Sequence, residues 1–442
     1  MRFYGRETEL EEMDEIRKQA FSDHSRFTVI TGRRRIGKTS LILKSLENTE
    51  FAYLFVGNKS EAVLCHEFSA ELSRATGLLF LPEIRTLRSL FLSLFEQAQD
   101  LHINIVIDEF QELSVANPAF FSDLQYLWDR YKEITHINLV VCGSVFSIMH
   151  RLFQDINEPL FGRADQIINL SPFSISTLKE IIKDHSPFDI NSDLLALFAI
   201  TGGVPKYVEL FCDNKALTLA KMIDFIIRDN SPLLNEGKNL LVMEFGKNYS
   251  TYFSIISAVS QGKNSQNEIE SYVGKRNLGG QLKRLVEDYM VLNHSRPLFA
   301  KPTSQTVKYE IKDPFIRFWF RFIESNRSMV EMKSFEQLRL IVMNDFETFS
   351  GKSLEDYFIQ KLALSGKYRI IGPYWESIKG EQIQIDIVAI ELNTPRKATA
   401  VEVKRNEKEF RISKLKDKVE HLQKKHLSGY DIDLVCLSLA DM

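Results

Sequence analysis

The pattern of apolar and polar positions divides the chain into two stretches of different character. Residues 3–20 carry Leu10, Met13 and Ile16 at helical spacing, and residues 27–30 form a short apolar run. Leu41, Ile42 and Leu46 return to helical spacing, and residues 51–56 are apolar again over the length of a buried strand. Helical patterning fills residues 62–75 and 87–98. Two further strand-length runs, 103–107 and 138–142, flank an amphipathic helix marked by Phe120, Leu124, Leu127, Trp128 and Tyr131. Residues 167–170 are a last apolar run. Strands alternating with helices predict an α/β domain with a parallel sheet.

Beyond this point helices dominate. Gly202-Gly203-Val204-Pro205 is a rigid turn between helices. Three short helical patterns follow, at 252–259, 266–269 and 278–287, and then two alternating segments, 290–294 and 307–311, that suit a hairpin. Three helices and a two-stranded wing predict a winged helix-turn-helix. Lys275, Arg276, Lys283 and Arg284 lie near its third helix and would serve phosphate contacts. The other reading is a module that packs against protein, because Gly279-Gly280 makes a poor base-reading face. Phe315, Phe318, Trp319 and Phe322 recur at helical spacing and predict a core face; with Arg317 and Arg321 between them, the competing reading is base stacking. The C-terminal part reads as a helix at 351–358, strands at 368–375, 384–390 and 398–404, and a helix at 410–427.

Composition narrows the class. At 442 residues the chain is too long for one core and suggests about three domains. Lys and Arg number 56 against 59 Asp and Glu, a net charge of −3, so any nucleic-acid signal is local. The largest such signal is in residues 396–426, where eleven Lys and Arg face five Asp and Glu; the solvated face of a helix is the plainer reading of that charge. Cys65, Cys142, Cys212 and Cys436 are scattered without metal-ligand spacing, as in a reducing compartment. No apolar run reaches the length of a membrane span, and the expected location is cytoplasmic.

The chemistry concentrates at the ends of the first strands. Gly32-Arg33-Arg34-Arg35-Ile36-Gly37-Lys38-Thr39-Ser40 stands between an apolar strand and a helix, the setting of a phosphate-binding loop. Gly32 and Gly37 let backbone N–H groups, including those near Arg35 and Ser40, converge on a phosphate. Lys38 reaches the β- and γ-phosphates, and the Thr39 hydroxyl is a Mg²⁺ ligand. The expected ligand is ATP with Mg²⁺. The strand at 103–107 ends in Asp108-Glu109: Asp108 would order the metal and Glu109 would take a proton from the attacking water. Ser144, after the next strand, reads either as a γ-phosphate sensor or as a turn serine. Arg163 reads as a group that stabilises the transferring phosphoryl, in cis or across a homo-oligomer boundary, or as a solvated arginine.

Near the C-terminus, Glu402 and Lys404 stand two apart on a strand and project from one face, and Asp386 on the paired strand can face the same cleft. Two converging carboxylates suit a divalent metal, with Lys404 offsetting charge at a phosphodiester.

Phe3-Tyr4-Gly5-Arg6-Glu7, the 32–39 loop, Asp108-Glu109-x-Gln111-Glu112, Gly143-Ser144, Phe161-Gly162-Arg163 and the 201–207 segment together resemble the archaeal and bacterial DEXX-box ATPases. These are AAA-type P-loop proteins related to the signal-transduction ATPases with numerous domains. The ordered set Glu355, Asp386, Glu402-Val403-Lys404 resembles the PD-(D/E)xK restriction-endonuclease-like fold, with Ile385 in place of the proline of that motif. The resemblance implies an ATPase core at 1–170, a helical lid at 171–245, the winged helix at 246–312, linker helices at 313–345 and a nuclease-like domain at 346–442. It implies metal ligation by Glu355, Asp386 and Glu402, and DNA or RNA as partner. The competing class is an ATP-controlled interaction switch, or a DNA-binding regulator, whose last domain binds without cleaving.

Overall fold

A computed structural model describes residues 1–185, 191–246, 249–301, 307–378 and 381–442. It separates into two compact units. One comprises Arg2–Pro172 with Val204–Lys206, the other Met1, Phe173–Gly203 and Tyr207–Met442.

The first unit is built on five strands: β1 Arg26–Thr31, β2 Ala52–Phe55, β3 His102–Asp108, β4 His136–Cys142 and β5 Gln166–Asn169. All pair in parallel, in the order β2-β3-β4-β1-β5. Their β-branched sequences are apolar on both faces because helices cover both. Phe27, Val29, Ile105, Ile107, Leu139 and Val141 point into a core shared with helices Glu61–Thr76, Leu87–Gln97 and Phe120–Tyr131. Alternate residues Ile30, Val106 and Val140 meet helices Glu7–Ser22 and Lys38–Ser45 on the other face. In such sheets ligands bind beyond the carboxyl ends of the strands, which here carry Gly32, Asp108 and Gly143.

In the second unit, helices Ile175–His185, Asn191–Thr201, Leu219–Ile226 and Glu236–Phe245 come first. Gly202 and Gly203 turn the chain with φ of 59° and 77° into helix Pro205–Asp213, as the Gly-Gly-x-Pro sequence predicts. Helices Tyr249–Ser260, Gln266–Val273 and Gly279–Glu287 follow, and β6 Leu292–Ser295 pairs antiparallel with β7 Lys308–Ile311. Ser265 and Glu268 form a capping box at the second of these helices.

The aromatic run lies in the core. Phe315, Phe318, Trp319 and Phe322 are buried, and Trp319 donates its indole N–H to Leu234 O at 2.9 Å. Their rings are therefore closed to nucleic-acid bases, which removes the stacking reading. A single helix of 30 residues, Phe335–Leu364, runs through the boundary expected at 345/346. At 1.5 Å per residue it is about 45 Å long. The chain ends in a four-stranded sheet of order β11-β10-β9-β8, from β8 Tyr368–Ile378, β9 Glu381–Glu391, β10 Lys397–Lys404 and β11 Asp431–Ser438. In it β10 pairs in parallel with β11, and β9 pairs antiparallel with both β8 and β10. Helix Ile412–Lys425 packs on this sheet through Leu415, Val419 and Leu422.

Candidate functional site

The residues singled out in the sequence fall mainly into two groups of side chains. The first lies where β1, β3 and β4 end. Gly32 has φ of 140°, and a Cβ there would stand 2.9 Å from Leu170 O, so this turn requires glycine. Gly37, in the left-handed region, opens helix Lys38–Ser45, whose first backbone N–H groups face the loop. Lys38 is buried and donates to Gly32 O at 2.9 Å and Arg33 O at 3.1 Å. Burial lowers its pKa, while the charges of Glu109 and Asp108 act to raise it. Arg35 has φ of 68°, and its carbonyl accepts from Lys206 N at 3.3 Å; Ser40 is exposed on the helix. Arg6, buried, donates to Ser171 O at 2.7 Å and Ile36 O at 3.4 Å, and so fastens the loop to the segment after β5.

Asp108 gathers four donors. Oδ2 accepts from Thr39 Oγ1 at 2.9 Å and from Tyr53 Oη at 2.6 Å; Oδ1 accepts from Glu109 N at 2.8 Å and from Cys142 Sγ at 3.0 Å. Burial and the adjacent Asp108 carboxylate push the Tyr53 and Cys142 pKa values up, so both stay protonated donors. Glu109, with φ of 56°, presents Oε2 to Gln111 Nε2 at 2.6 Å, Ser144 Oγ at 2.7 Å and Ser144 N at 3.2 Å. Ser144 therefore holds Glu109. Gly143 leaves room for this arrangement, since a Cβ there would lie 2.1 Å from Gln111 Oε1.

Thr39 and Asp108 offer the hard oxygen donors that Mg²⁺ takes beside substrate phosphates. Among the described residues no three His, Cys, Asp or Glu side chains form a ready-made metal cage. Arg163 stands outside this hydrogen-bonded set, paired with Asp129 at 3.1 Å and donating to Phe161 O at 2.9 Å. Tyr53 and Gln111 were not legible as site residues. Sheet register brings Tyr53 beside Val106, and a 3₁₀ turn over Phe110–Glu112 places Gln111.

The second group lies on the C-terminal sheet. Val401 pairs with Ile387, which sets Glu402 beside Asp386. Asp386 Oδ2 accepts from Val403 N at 2.8 Å. Glu402 is gripped by Lys404 at 2.9 Å and by Lys418, from helix Ile412–Lys425, at 3.0 Å. Glu355 sits 3.5 Å from Lys352, which also reaches Asp356 at 3.3 Å. Burial pushes Glu355 up to about 7, with Asp386 and Asp356 adding to the rise and Lys352 opposing it. Burial and the Glu402 charge raise Asp386, whereas the two lysines hold Glu402 below its usual value against burial. Burial lowers and Glu402 raises the Lys404 pKa, and the net direction is up. The three expected ligands thus do not close on one point: Glu355 turns to Lys352, and Glu402 to two lysines. Their oxygen chemistry fits Mg²⁺, with the lysine ammoniums standing beside the carboxylates a cation would bind. Lys418 carried no sequence signal beyond its place in a basic helix.

On the helix–hairpin module, Lys275 donates to Thr251 Oγ1 at 3.2 Å, and Lys283 pairs with Glu287 at 3.6 Å. Arg284 hydrogen-bonds Tyr252. These contacts involve three of the four basic side chains near its third helix.

Residues 3–211 match a family described as an ATPase domain predominantly from Archaea. Residues 319–421 match a family of archaeal and bacterial proteins of unknown function. An uncharacterized protein of Methanocaldococcus jannaschii is 30% identical over 410 residues, 91% of this chain and 87% of that protein. The structure of the Walker-type ATPase of Pyrococcus abyssi superposes with a TM-score of 0.54 at 18% identity, covering 72% of this chain and 96% of that one. The Aeropyrum pernix ORC2 protein, solved in ADPNP–ADP complexes, gives a TM-score of 0.46 at 14% identity over 74% of this chain and 94% of that one. No helix among the described residues is long and apolar enough to cross a membrane.

Proposed function

The chain belongs to the family of that Methanocaldococcus jannaschii protein and carries the ATPase domain found predominantly in Archaea; from this premise we propose how its residues bind and hydrolyse ATP. The observation that carries the reading is the pair Asp108–Glu109 at the end of β3, hydrogen-bonded to Thr39 and Ser144. Backbone N–H groups of the 32–39 loop and the Lys38 ammonium hold the β- and γ-phosphates. Mg²⁺, when bound, supplies a Lewis acid at the phosphoryl oxygens and would be held by Thr39 and Asp108. Glu109 accepts the proton of the attacking water, and Ser144 with Gln111 fixes its carboxylate in place. Arg163 neutralises charge on the transferring group when its pairing with Asp129 is released, in cis or from a neighbouring copy. Glu109→Gln tests the assignment: it should bind ATP with wild-type affinity and hydrolyse it at least about a hundredfold more slowly. Wild-type turnover in Glu109→Gln would remove Glu109 from the mechanism.

For the second unit the reading is a winged helix-turn-helix at 249–311 followed by a PD-(D/E)xK-like nuclease domain. Asp386 and Glu402 would hold Mg²⁺, joined by Glu355, and Lys404 would offset charge at the scissile phosphate. The grip of Lys404 and Lys418 on Glu402 favours a second reading, a domain that binds nucleic acid without cutting it. Cleavage of DNA and RNA with Mg²⁺ or Mn²⁺, compared between wild type and Asp386→Ala, separates the two.

A further inference from the structure

A cavity of about 830 Å³ lies within the second unit, between the helix–hairpin module and the C-terminal sheet. Asn264, Ser265, Phe299, Lys301, Lys308 and Trp375 are among its walls. The backbone joins the two sides where Leu298 N donates to Pro373 O at 3.0 Å.

The wall is aromatic and cationic. Phe299 stacks on His426 at 5.1 Å, and the Lys308 ammonium lies 4.7 Å from the centre of the Trp375 ring. Trp375 Nε1 is shut from solvent and has no hydrogen-bond partner among the described residues. The ring itself is only partly buried, so what Trp375 offers the cavity is its aromatic surface rather than its N–H.

The charges divide cleanly. Glu376 is matched by Tyr374 Oη at 2.8 Å, His421 at 3.1 Å and the Lys425 ammonium, and these contacts hold its pKa down at about 2. Glu268 is committed to capping its own helix through Asn264 N, Ser265 N and Ser265 Oγ. Lys301 and Lys308 have no ion pair among the described residues. With Glu268 still charged on the wall and Glu376 matched by Lys425, they leave the cavity net positive.

We propose that this cavity is a subsite for single-stranded nucleic acid, which lays a base against Trp375 and its adjoining phosphates on Lys301 and Lys308. The proposal rests on the nuclease-like reading of the Asp386–Glu402 cluster. Helix Ile412–Lys425 connects the two places: Lys418 touches Glu402, and Lys425, on the same face seven residues later, lines the cavity. Seven residues span about 10 Å, the length of about three stacked nucleotides in one strand. A strand, unlike a free nucleotide, occupies the cavity and the carboxylate cluster together.

Trp128 and Trp319 are fully buried, so Trp375 is the indole a ligand can reach. The experiment uses the full chain carrying Asp386→Asn, in EDTA, titrated with an oligothymidylate of about ten nucleotides while tryptophan emission is followed. The strand should quench the emission, and adding Trp375→Phe should abolish the quenching. Trp375→Ala should weaken binding of a labelled strand at least about fivefold, the loss of one base–aromatic stack. Lys308→Ala and Lys301→Ala should each lower the salt dependence of binding by about one charge. Absent quenching, quenching that survives in Trp375→Phe, or equal quenching by AMP at the same phosphate concentration would each overturn the proposal. If Trp375 variants fail to fold, the lysine variants decide it, an unchanged salt slope being the adverse result. Cleavage is not read, so a domain that binds without cutting leaves the subsite standing. A wild-type protein that cuts nucleic acid without quenching overturns the subsite alone.

Discussion

Glu355→Gln should make the stability of the protein less dependent on pH, by an amount that the structure sets. Glu355 lies in the helix Phe335–Leu364 with its side chain 24% exposed. Burial raises its pKa from 4.5 to about 7, the nearby Asp386 and Asp356 carboxylates adding to the rise and Lys352 opposing it. A raised folded-state pKa means that the native protein holds the proton more tightly than the unfolded chain. The stabilisation is complete below the unfolded value and is lost as pH rises through the folded value. A rise from 4.5 to about 7, at about 1.36 kcal/mol per unit, gives roughly 3 kcal/mol, most of which falls between pH 5 and pH 8. Asp386, also raised, acts in the same direction, and Glu402, lowered, in the opposite one. Both remain in wild type and variant. Lys352 is raised from 10.5, so its contribution changes only above this window. Urea unfolding of both proteins at pH 5, 6, 7 and 8 measures the difference. Wild type should lose about 2 to 3 kcal/mol more than Glu355→Gln across that range, and millimolar Mg²⁺ should reduce the loss if a cation settles on these carboxylates. Parallel stability curves within about 0.5 kcal/mol would refute the burial argument.

Lys38→Ala should abolish ATP binding measured by equilibrium titration, because the ammonium that offsets the β,γ-phosphate charge is gone. Gly143→Ala places a Cβ 2.1 Å from Gln111 Oε1 and 2.6 Å from Met149 Sδ. The displaced amide loses a hydrogen bond to the Glu109 carboxylate of about 1.5 to 3 kcal/mol, so kcat should fall about ten- to hundredfold with little change in ATP affinity. Mixing Arg163→Ala with Lys38→Ala protein should restore part of the turnover if Arg163 serves a neighbouring copy, and a mixture as inactive as its components would exclude that role. Mg²⁺ or Mn²⁺ should raise the melting temperature of the C-terminal domain expressed without the ATPase core, and Asp386→Ala should remove the shift.

The phosphate loop and Asp108-Glu109 were legible because each is local in sequence: a strand, a fixed spacing and a helix. Glu355, Asp386, Glu402 and Lys404 stand in the sequence as an ordered set, but that order does not say that Glu355 pairs with Lys352 and Glu402 with Lys404 and Lys418. Tyr53 reaches Asp108 only through the register of β2 on β3, and Gln111 reaches Glu109 only because Gly143 lacks a side chain. Lys418 comes to Glu402 from a helix sixteen residues on, at a position that the burial of Leu415, Val419 and Leu422 selects. Arg163 read as a group aimed at phosphate, and its partner Asp129 lies on a helix that no motif connects to it. The boundary at 345/346 was implied by the family resemblance and by no local signal, and the helix Phe335–Leu364 passes through it unbroken. Leu338, Val342 and Phe346 are buried near its start, and Tyr357 and Phe358 near its end.

That helix is a rod with two addresses. Arg339 near its start donates to Ile227 O at 2.8 Å, and Ser350 farther along accepts from Arg405, just past β10, at 2.9 Å. Glu355 lies sixteen residues beyond Arg339, about 24 Å along the axis. Over an unbroken helix, length and angle cannot be changed separately. One inserted residue lengthens the rod by about 1.5 Å and swings everything beyond it through about 100°, carrying Glu355 off the Asp386 side of its sheet. Seven inserted residues restore the angle to within about 20° and add about 10 Å. The joint between these parts of the chain is therefore indexed like a gear: it tolerates changes of length only in whole turns.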